Sequence, residues 1–160
     1  MKLLSGGQSG VDRAVLDVAL ERDIDYGGWC PKGGWAEDLT EPPGLLAKYP
    51  KLAETPLHDP AQRTQWNIRD ADACMIVVDT GGLRVSQGSA LAERLAHRYR
   101  KPLLTVNLGD RDAVNHAAFW LRVQHKKFGT ALRLAIGGPR ESEAPDVYAR
   151  AMTFLRALLD

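Results

Sequence analysis

The sequence predicts an α/β protein, built on a mainly parallel sheet with helices on both faces. Three observations carry that expectation. Apolar runs of strand length alternate along the chain with segments of helical periodicity. The run Ala73-Cys74-Met75-Ile76-Val77-Val78 is apolar throughout, as a strand covered on both faces must be. Glycine-rich turns follow the strands, and open α/β sheets take their ligands outside the carboxyl ends of the strands.

The elements follow in order. Lys2–Ser5 reads as the first strand and stops at Gly6-Gly7. Ser9–Arg22 reads as a helix, with Val11, Ala14, Val15, Val18 and Ala19 along one face. Tyr26–Cys30 is a short second strand. Residues 31–59, rich in Gly, Pro and charge, lack clear periodicity, and a stretch this long is either functional or hides short structure. Pro60–Asp70 is a helix with Trp66 directed to the core, and it leads into the central strand Ala73–Val78. Gly88–Arg100 is helical, Pro102–Asn107 a strand, Ala113–Lys127 a helix, Leu132–Ile136 a strand and Pro145–Leu159 the final helix. With no internal repeat, low-complexity tract or linker, residues 1–160 read as one domain.

The 160 residues suffice for one core, since a chain of this size buries roughly 70% of its unfolded surface. The 21 basic and 20 acidic residues are spread along the chain, for a net charge of +1. That balance excludes the basic stripe of a nucleic-acid-binding protein. No apolar run reaches the ~18 residues of a membrane span. The start of the chain has no apolar segment of signal-peptide length. Two cysteines, Cys30 and Cys74, without a C-x-x-C pair fit a reducing compartment. The expectation is a cytoplasmic protein without nucleic-acid or membrane partners. Phe119, Trp120, Leu121, Val123 and Phe128 make their helix more apolar than one sheet face requires, which points to a homo-oligomer, a dimer or tetramer.

The chemistry concentrates in the turns. Gly6-Gly7-Gln8-Ser9-Gly10 is neither a G-x-G-x-x-G fingerprint nor a P-loop, but it opens a helix whose first amide N–H groups have no intrahelical partner and attract an anion. Ser9 can cap that helix or donate to a phosphate, and Arg13, one turn in, is either an anion clamp or a solvated arginine. The second strand ends in Gly27-Gly28-Trp29-Cys30 without an acidic residue for a ribose, which argues against an NAD dehydrogenase. Lys32, between Pro31 and Gly33, is a candidate anion contact. Cys30 reads first as a packed thiol, then as a soft ligand or nucleophile; Cys74 belongs to the core.

A second helix start follows the central strand at Thr80-Gly81-Gly82, Ser86 and Gly88-Ser89. Asp79 just before it would repel an anion unless it caps a turn. A helix that precedes a parallel strand begins at the ligand edge. Arg63 and Thr64 therefore belong to the site, Asn67 is intermediate, and Arg69, Asp70 and Asp72 form a charge network at the opposite edge. Gly137–Arg140 and, more weakly, Asn107-Leu108-Gly109 also follow strands. The histidines, His58, His97, His116 and His125, lie outside the glycine turns. With no catalytic constellation and no metal-ligand cluster, the pattern reads as binding. The two glycine-rich helix starts would form opposite walls of one pocket for a phosphorylated small molecule.

Ser5-Gly6-Gly7-Gln8-Ser9-Gly10-Val11-Asp12-Arg13-Ala14 recurs with Gly27-Gly28-Trp29-Cys30-Pro31-Lys32-Gly33, Ala36-Glu37-Asp38, Tyr49-Pro50, Glu54-Thr55, Gln62-Arg63-Thr64 with Trp66-Asn67 and Asp70, and Gly137-Gly138-Pro139-Arg140-Glu141-Ser142. In that order, over nearly the whole chain, these motifs resemble the "putative molybdenum carrier" family. That family belongs to the SLOG group of Rossmann-like domains, similar to the lysine decarboxylase-like proteins. The resemblance implies a single Rossmann-like domain whose cargo is molybdenum cofactor, a phosphate-bearing pterin with a dithiolene-bound oxomolybdenum, or a molybdenum oxyanion. It implies a pocket lined by Gly6 to Gly10, Arg13, Cys30 to Gly33, Arg63, Thr64, Gly81, Gly82, Gly88 and Ser89. Ser9 and Ser89 stand where threonine is usual, and Trp35 where a basic residue is common. A second reading from the same relatives is nucleotide sensing or processing, with N-glycosidic cleavage of a nucleoside monophosphate or an ADP-ribose derivative. Gly88-Ser89 with Glu93 loosely echoes their acidic motif, with Arg84 and Arg94 nearby.

Overall fold

A computed structural model describes residues 1–160. Its elements run β1 (Lys2–Leu4), α1 (Val11–Glu21), β2 (Asp25–Gly27), β3 (Trp29–Cys30), α2 (Leu45–Lys48), β4 (Ala53–Glu54), α3 (Pro60–Asp70), β5 (Ala73–Val78), α4 (Gln87–Arg98), β6 (Leu103–Asn107), α5 (Ala113–Phe128), β7 (Arg133–Gly137) and α6 (Val147–Leu158). Five strands form a parallel sheet in the order β2-β1-β7-β5-β6. The last strand in sequence thus lies in the middle, with Leu134 opposite Leu3 of β1 and Ile136 opposite Met75 of β5.

This order, with right-handed crossovers, distributes the helices. The steps β1 to β2 and β6 to β7 run one way along the sheet, and β2 to β5 and β5 to β6 run the other. Helices α1 and α5 therefore fall on one face and α3 and α4 on the opposite face. The packing agrees: α6 lies against α1 and α5, and α3 lies against α4. Alternate side chains of the strands feed two cores. Leu3, Met75, Val77, Leu134 and Ile136 enter a cluster of 30 buried residues with α1, α5 and α6. Leu4, Cys74 and Ala135 enter a cluster of only 7 with α3 and α4. The continuous apolar run of β5 follows from this two-sided burial. The thinner core on the α3–α4 face leaves room for a cleft.

Two expectations change. The strand anticipated over Tyr26–Cys30 breaks at Gly28, where φ is +118° and a Cβ would lie 2.5 Å from the Ser5 carbonyl oxygen and 2.8 Å from Asn67 Oδ1. Beyond the break β3 leaves the main sheet and pairs with β4, so residues 31–59 hide short structure rather than a plain loop. The Asn67 amide takes the place of a neighbouring strand: its Oδ1 accepts from Trp29 N at 2.8 Å and its Nδ2 donates to Trp29 O at 2.9 Å. Trp66 is half-buried rather than core, edge-on to Trp29 at 4.7 Å with Arg69 4.8 Å over its ring. The phase of α3 is set by Thr64, Asn67 and Ile68, which turn inward and rotate Trp66 outward.

Asp17 of α1 ties three segments together. Its Oδ1 accepts from Tyr49 Oη at 2.6 Å and Lys48 Nζ at 2.7 Å, and its Oδ2 from Tyr148 Oη at 2.8 Å. Burial alone would raise this carboxyl, but the hydrogen bonds from Lys48, Tyr49 and Tyr148 outweigh it and hold Asp17 below the ordinary value. A depressed carboxylate contributes stability that is complete above its unfolded value and lost as pH falls through the folded one. Asp17→Asn is expected to cost about 1.5–3 kcal/mol at neutral pH. Urea midpoints of variant and wild type should converge in acid; a gap that stays constant with pH contradicts this.

On α5, Leu121 is buried and Trp120 and Phe128 are half-buried. The apolar excess that suggested self-association is therefore confined to Phe119 and Val123, which are 64% and 45% exposed. No helix is long and apolar enough to cross a membrane.

Candidate functional site

A cleft opens at the carboxyl ends of β1, β7 and β5, on the face covered by α3 and α4, with about 630 Å³ of open space, its mouth included. Leu4, Ile76 and Ala135, which turn toward α3 and α4, make an apolar floor. Polar groups reach it from four directions: Gly6, Gln8 and Asp12 from the turn after β1, Arg63, Thr64 and Asn67 from α3, Ser86, Gly88 and Ser89 from the start of α4, and Arg140 and Glu143 after β7. An apolar body with a few converging polar groups is the usual make-up of a small-molecule site.

The start of α4 is open toward the cleft. Ser86 caps it, its Oγ accepting from Ser89 N at 3.1 Å. The amides of Gln87 and Gly88 lie in the first turn of α4, where no carbonyl of the same helix can accept from them. The Ser89 hydroxyl is buried without a hydrogen-bond partner, and the residue is only 4% exposed. A buried donor left unmade costs free energy, so such a group marks a place where a ligand would restore the missing bond.

Opposite lies a buried ion pair. Arg63 Nη1 is 3.1 Å from Asp12 Oδ2, and Asp12 Oδ1 accepts from Gly138 N at 3.3 Å. The Arg63 side chain passes close over Gly6, where a Cβ would sit 2.8 Å from both its Cδ and Cζ. Arg63 Nε is buried and has no partner. Burial pushes the Asp12 carboxyl above its ordinary value, and the Arg63 charge and the amides of Gly138 and Gln8 only partly oppose it.

The first turn of α1 is covered by the protein itself. Val11 N donates to Pro139 O at 3.2 Å. A Cβ on Gly10, whose φ is +77°, would lie 2.9 Å from Arg140 Cα and run into Pro139 O. The Ser9 hydroxyl donates to Glu37 Oε1 and accepts from Glu141 N at 3.1 Å. Glu37 in turn accepts from Ser142 N at 3.2 Å and Ser142 Oγ at 2.6 Å. Residues 137–142 are thus strapped across the helix start that the sequence offered to a phosphate.

The structure brings Gly6, Gln8, Arg63, Thr64, Ser86, Gly88 and Ser89 of the anticipated set together around the cleft. The others do not line it. Gly7, at φ +72°, packs on Leu45. Arg13 holds Asp38 through two bonds of 3.0 and 2.8 Å and the Gly7 carbonyl at 3.1 Å, so its guanidinium is already committed. Cys30 is fully buried, its thiol pushed up to about 11 by burial and the Glu54 carboxylate. Pro31, Lys32 and Gly33 form a turn closed by Lys32 N on Leu57 O at 3.2 Å and Gly33 N on Glu54 Oε1 at 2.6 Å. Thr80, Gly81, Gly82 and Arg84 lie in the turn beyond β5 and outside the cleft, and Glu93 and Arg94, on α4, do not line it either. Asp79 does cap that turn, accepting from Thr80 N at 2.8 Å, and pairs with Arg150. At the opposite edge Arg69 pairs with Asp70 at 2.7 Å and Arg133 with Asp72 at 2.8 Å, the network expected there.

Asp12, Arg140 and Glu143 escaped sequence reasoning as site residues. Asp12 carried no role of its own in the sequence; its place in the motif was the available signal. Arg140 N donates to Glu143 Oε1 at 3.0 Å, a reach that the i,i+3 spacing permits. No three His, Cys, Asp or Glu side chains gather as a metal-ion site.

The circularly permutated YpsA SLOG family matches residues 3–159. A crystal structure from Syntrophus aciditrophicus SB, described as a putative molybdenum carrier protein, is similar at 37% identity with a TM-score of 0.82, over 99% of this chain and 94% of that one. No curated protein matches. Family match and structural likeness both extend over nearly the whole parallel sheet and its flanking helices, and the chain belongs to the circularly permutated YpsA SLOG family.

Proposed function

We propose that the protein is a small-molecule carrier that binds an anionic, phosphorylated ligand in the cleft. The phosphate sits at the start of α4, near Arg63, and the body of the ligand rests on the apolar floor. One observation carries this reading: the buried, unpartnered Ser89 hydroxyl in the first turn of α4, beside amides that have no partner within their own helix. Backbone N–H groups, the helix dipole and a hydroxyl donor together favour an anion. The glycine turn before α1 serves on this reading as scaffold, because its own chain covers it.

The resemblance to a protein described as a putative molybdenum carrier supports molybdenum cofactor, or a molybdenum oxyanion, as the cargo. The cleft offers no thiol, since Cys30 and Cys74 are buried elsewhere. A molybdenum pterin would therefore be gripped through its phosphate and ring, leaving the metal to its dithiolene.

Ser89→Ala separates binding from folding. Removing an unsatisfied buried hydroxyl is expected to leave the unliganded protein as stable or slightly more stable, while the affinity for an anion falls by about tenfold, or ~1.4 kcal/mol. Titration with molybdenum cofactor and with molybdate, alongside urea unfolding of both proteins, reads both effects. Unchanged affinity in the variant, or no saturable binding by the wild type, refutes the carrier reading.

A further inference from the structure

We infer that Asp12 couples anion binding in the cleft to the uptake of one proton. The inference rests on the reading of the cleft as an anion site and goes further, to how that site responds to pH.

Arg63 is the cation of the α3 wall, and it already serves Asp12 through Nη1 at 3.1 Å. Both partners are held away from water, with side chains 12% and 5% exposed. An anion drawn to Arg63 gives one guanidinium two negative groups to balance in a poorly solvated place. The carboxylate cannot turn out to solvent: Asp12 sits in the first turn of α1 beneath residues 137–140, with Oδ1 held by Gly138 N at 3.3 Å. Burial of an uncompensated carboxylate is costly enough that such groups take up a proton instead. The resting pair also has a reason to yield, because Arg63 Nε is buried without a partner and lies on Gly6 rather than in a bonded slot.

The neighbours of Asp12 do not offer a substitute charge. On its own helix Arg13 is committed to Asp38. From the loop after β7, Arg140 lies 3.6 Å from Glu143 and 3.7 Å from Glu37, so its charge is shared by two carboxylates. Gln8 and Gly138 contribute only amides. The α4 wall brings Ser86, Gly88 and Ser89, none of which titrates. Asp12 and Glu143 are the two carboxylates of the cleft, and Asp12 is the one bonded to Arg63.

The probes are sulfate, whose charge is constant near neutrality, and molybdate. Calorimetry in buffers of different ionisation enthalpy should show close to one proton taken up per anion bound. Affinity should weaken with rising pH, by up to about tenfold per pH unit. Asp12→Asn should bind without proton uptake and without that slope; Glu143→Gln alters the cleft and its affinity, but the anion that it does bind should still bring one proton with it. Binding by the wild type with no proton uptake overturns the coupling while leaving the carrier reading intact. Uptake that persists in Asp12→Asn or vanishes in Glu143→Gln assigns the proton elsewhere and also overturns it. Failure of the wild type to bind either probe overturns both. If Asp12→Asn does not fold, the wild-type buffer series and that of Glu143→Gln decide between the two carboxylates of the cleft.

Discussion

Arg63→Met is expected to abolish anion binding and to destabilise the protein by about 2–4 kcal/mol at neutral pH. Methionine keeps the stem that lies on Gly6 but removes the charge, leaving Asp12 only 4% exposed and without a cation. Breaking a buried pair by deleting one partner costs about 3–5 kcal/mol. Removing the bare Nε–H gives back roughly 1 kcal/mol, so the lost charge dominates. The sign of the pH dependence follows from Asp12. A carboxyl raised in the folded state binds its proton more tightly there than in the unfolded chain, so stability falls as pH rises from the unfolded value through the folded one. The deficit should therefore be small in mild acid and grow toward neutrality. Asp12→Asn in the same chain should recover most of it, because the amide carries no charge to bury. Urea unfolding across pH reads all of this; a pH-independent deficit, or no rescue in the double variant, would count against a buried ion pair at this place.

Gly10→Ala is expected to cost at least about 3 kcal/mol in the unliganded protein. At φ +77° and ψ −132° the residue occupies a region that L side chains avoid. A Cβ would also press on the backbone of Pro139 and Arg140, which the strap through Ser9, Glu37 and Ser142 prevents from moving. Gly88→Ala is the contrast. Gly88 lies in the first turn of α4, and the nearest atom to its Cβ is Ser86 Oγ at 3.9 Å. There the helix propensity of alanine should leave stability equal or higher by up to about 1 kcal/mol, while the added methyl crowds an anion at the helix start. Thermal or urea unfolding without ligand distinguishes the two glycines: one is required by the protein's own chain, the other by space for a ligand. Equal tolerance at both positions would contradict this division.

Much of the cleft's location was legible in the sequence because it depends on chain direction. A helix leading into a parallel strand must begin at the ligand edge, and Arg63 and Thr64 do line the cleft while Arg69 and Asp70 pair elsewhere. The second glycine-rich turn was legible in part. Ser86, Gly88 and Ser89 reach the cleft, but Gly81 and Gly82 shape the turn before it. The first turn was read with the right fold and a different occupant. Its helix start exists, and the protein's own residues 137–142 lie across it.

The sequence by itself determined the α/β class, the five strands of the main sheet and the longer helices to within a few residues, and the edge of the sheet that carries the polar turns. These follow from periodicity and turn chemistry, which are properties of neighbouring residues. Tertiary structure alone decided that the last strand fills the centre of the sheet, which helix start stays open, and which cations are already committed. The reason is that a hydroxyl or guanidinium is defined by what it meets, and here the partners are remote: Ser9 meets Glu37 and Glu141, Arg13 meets Asp38, and Arg63 meets Asp12. Local pattern specifies a donor, whereas only the packed chain specifies whether that donor is already satisfied or still available to a ligand.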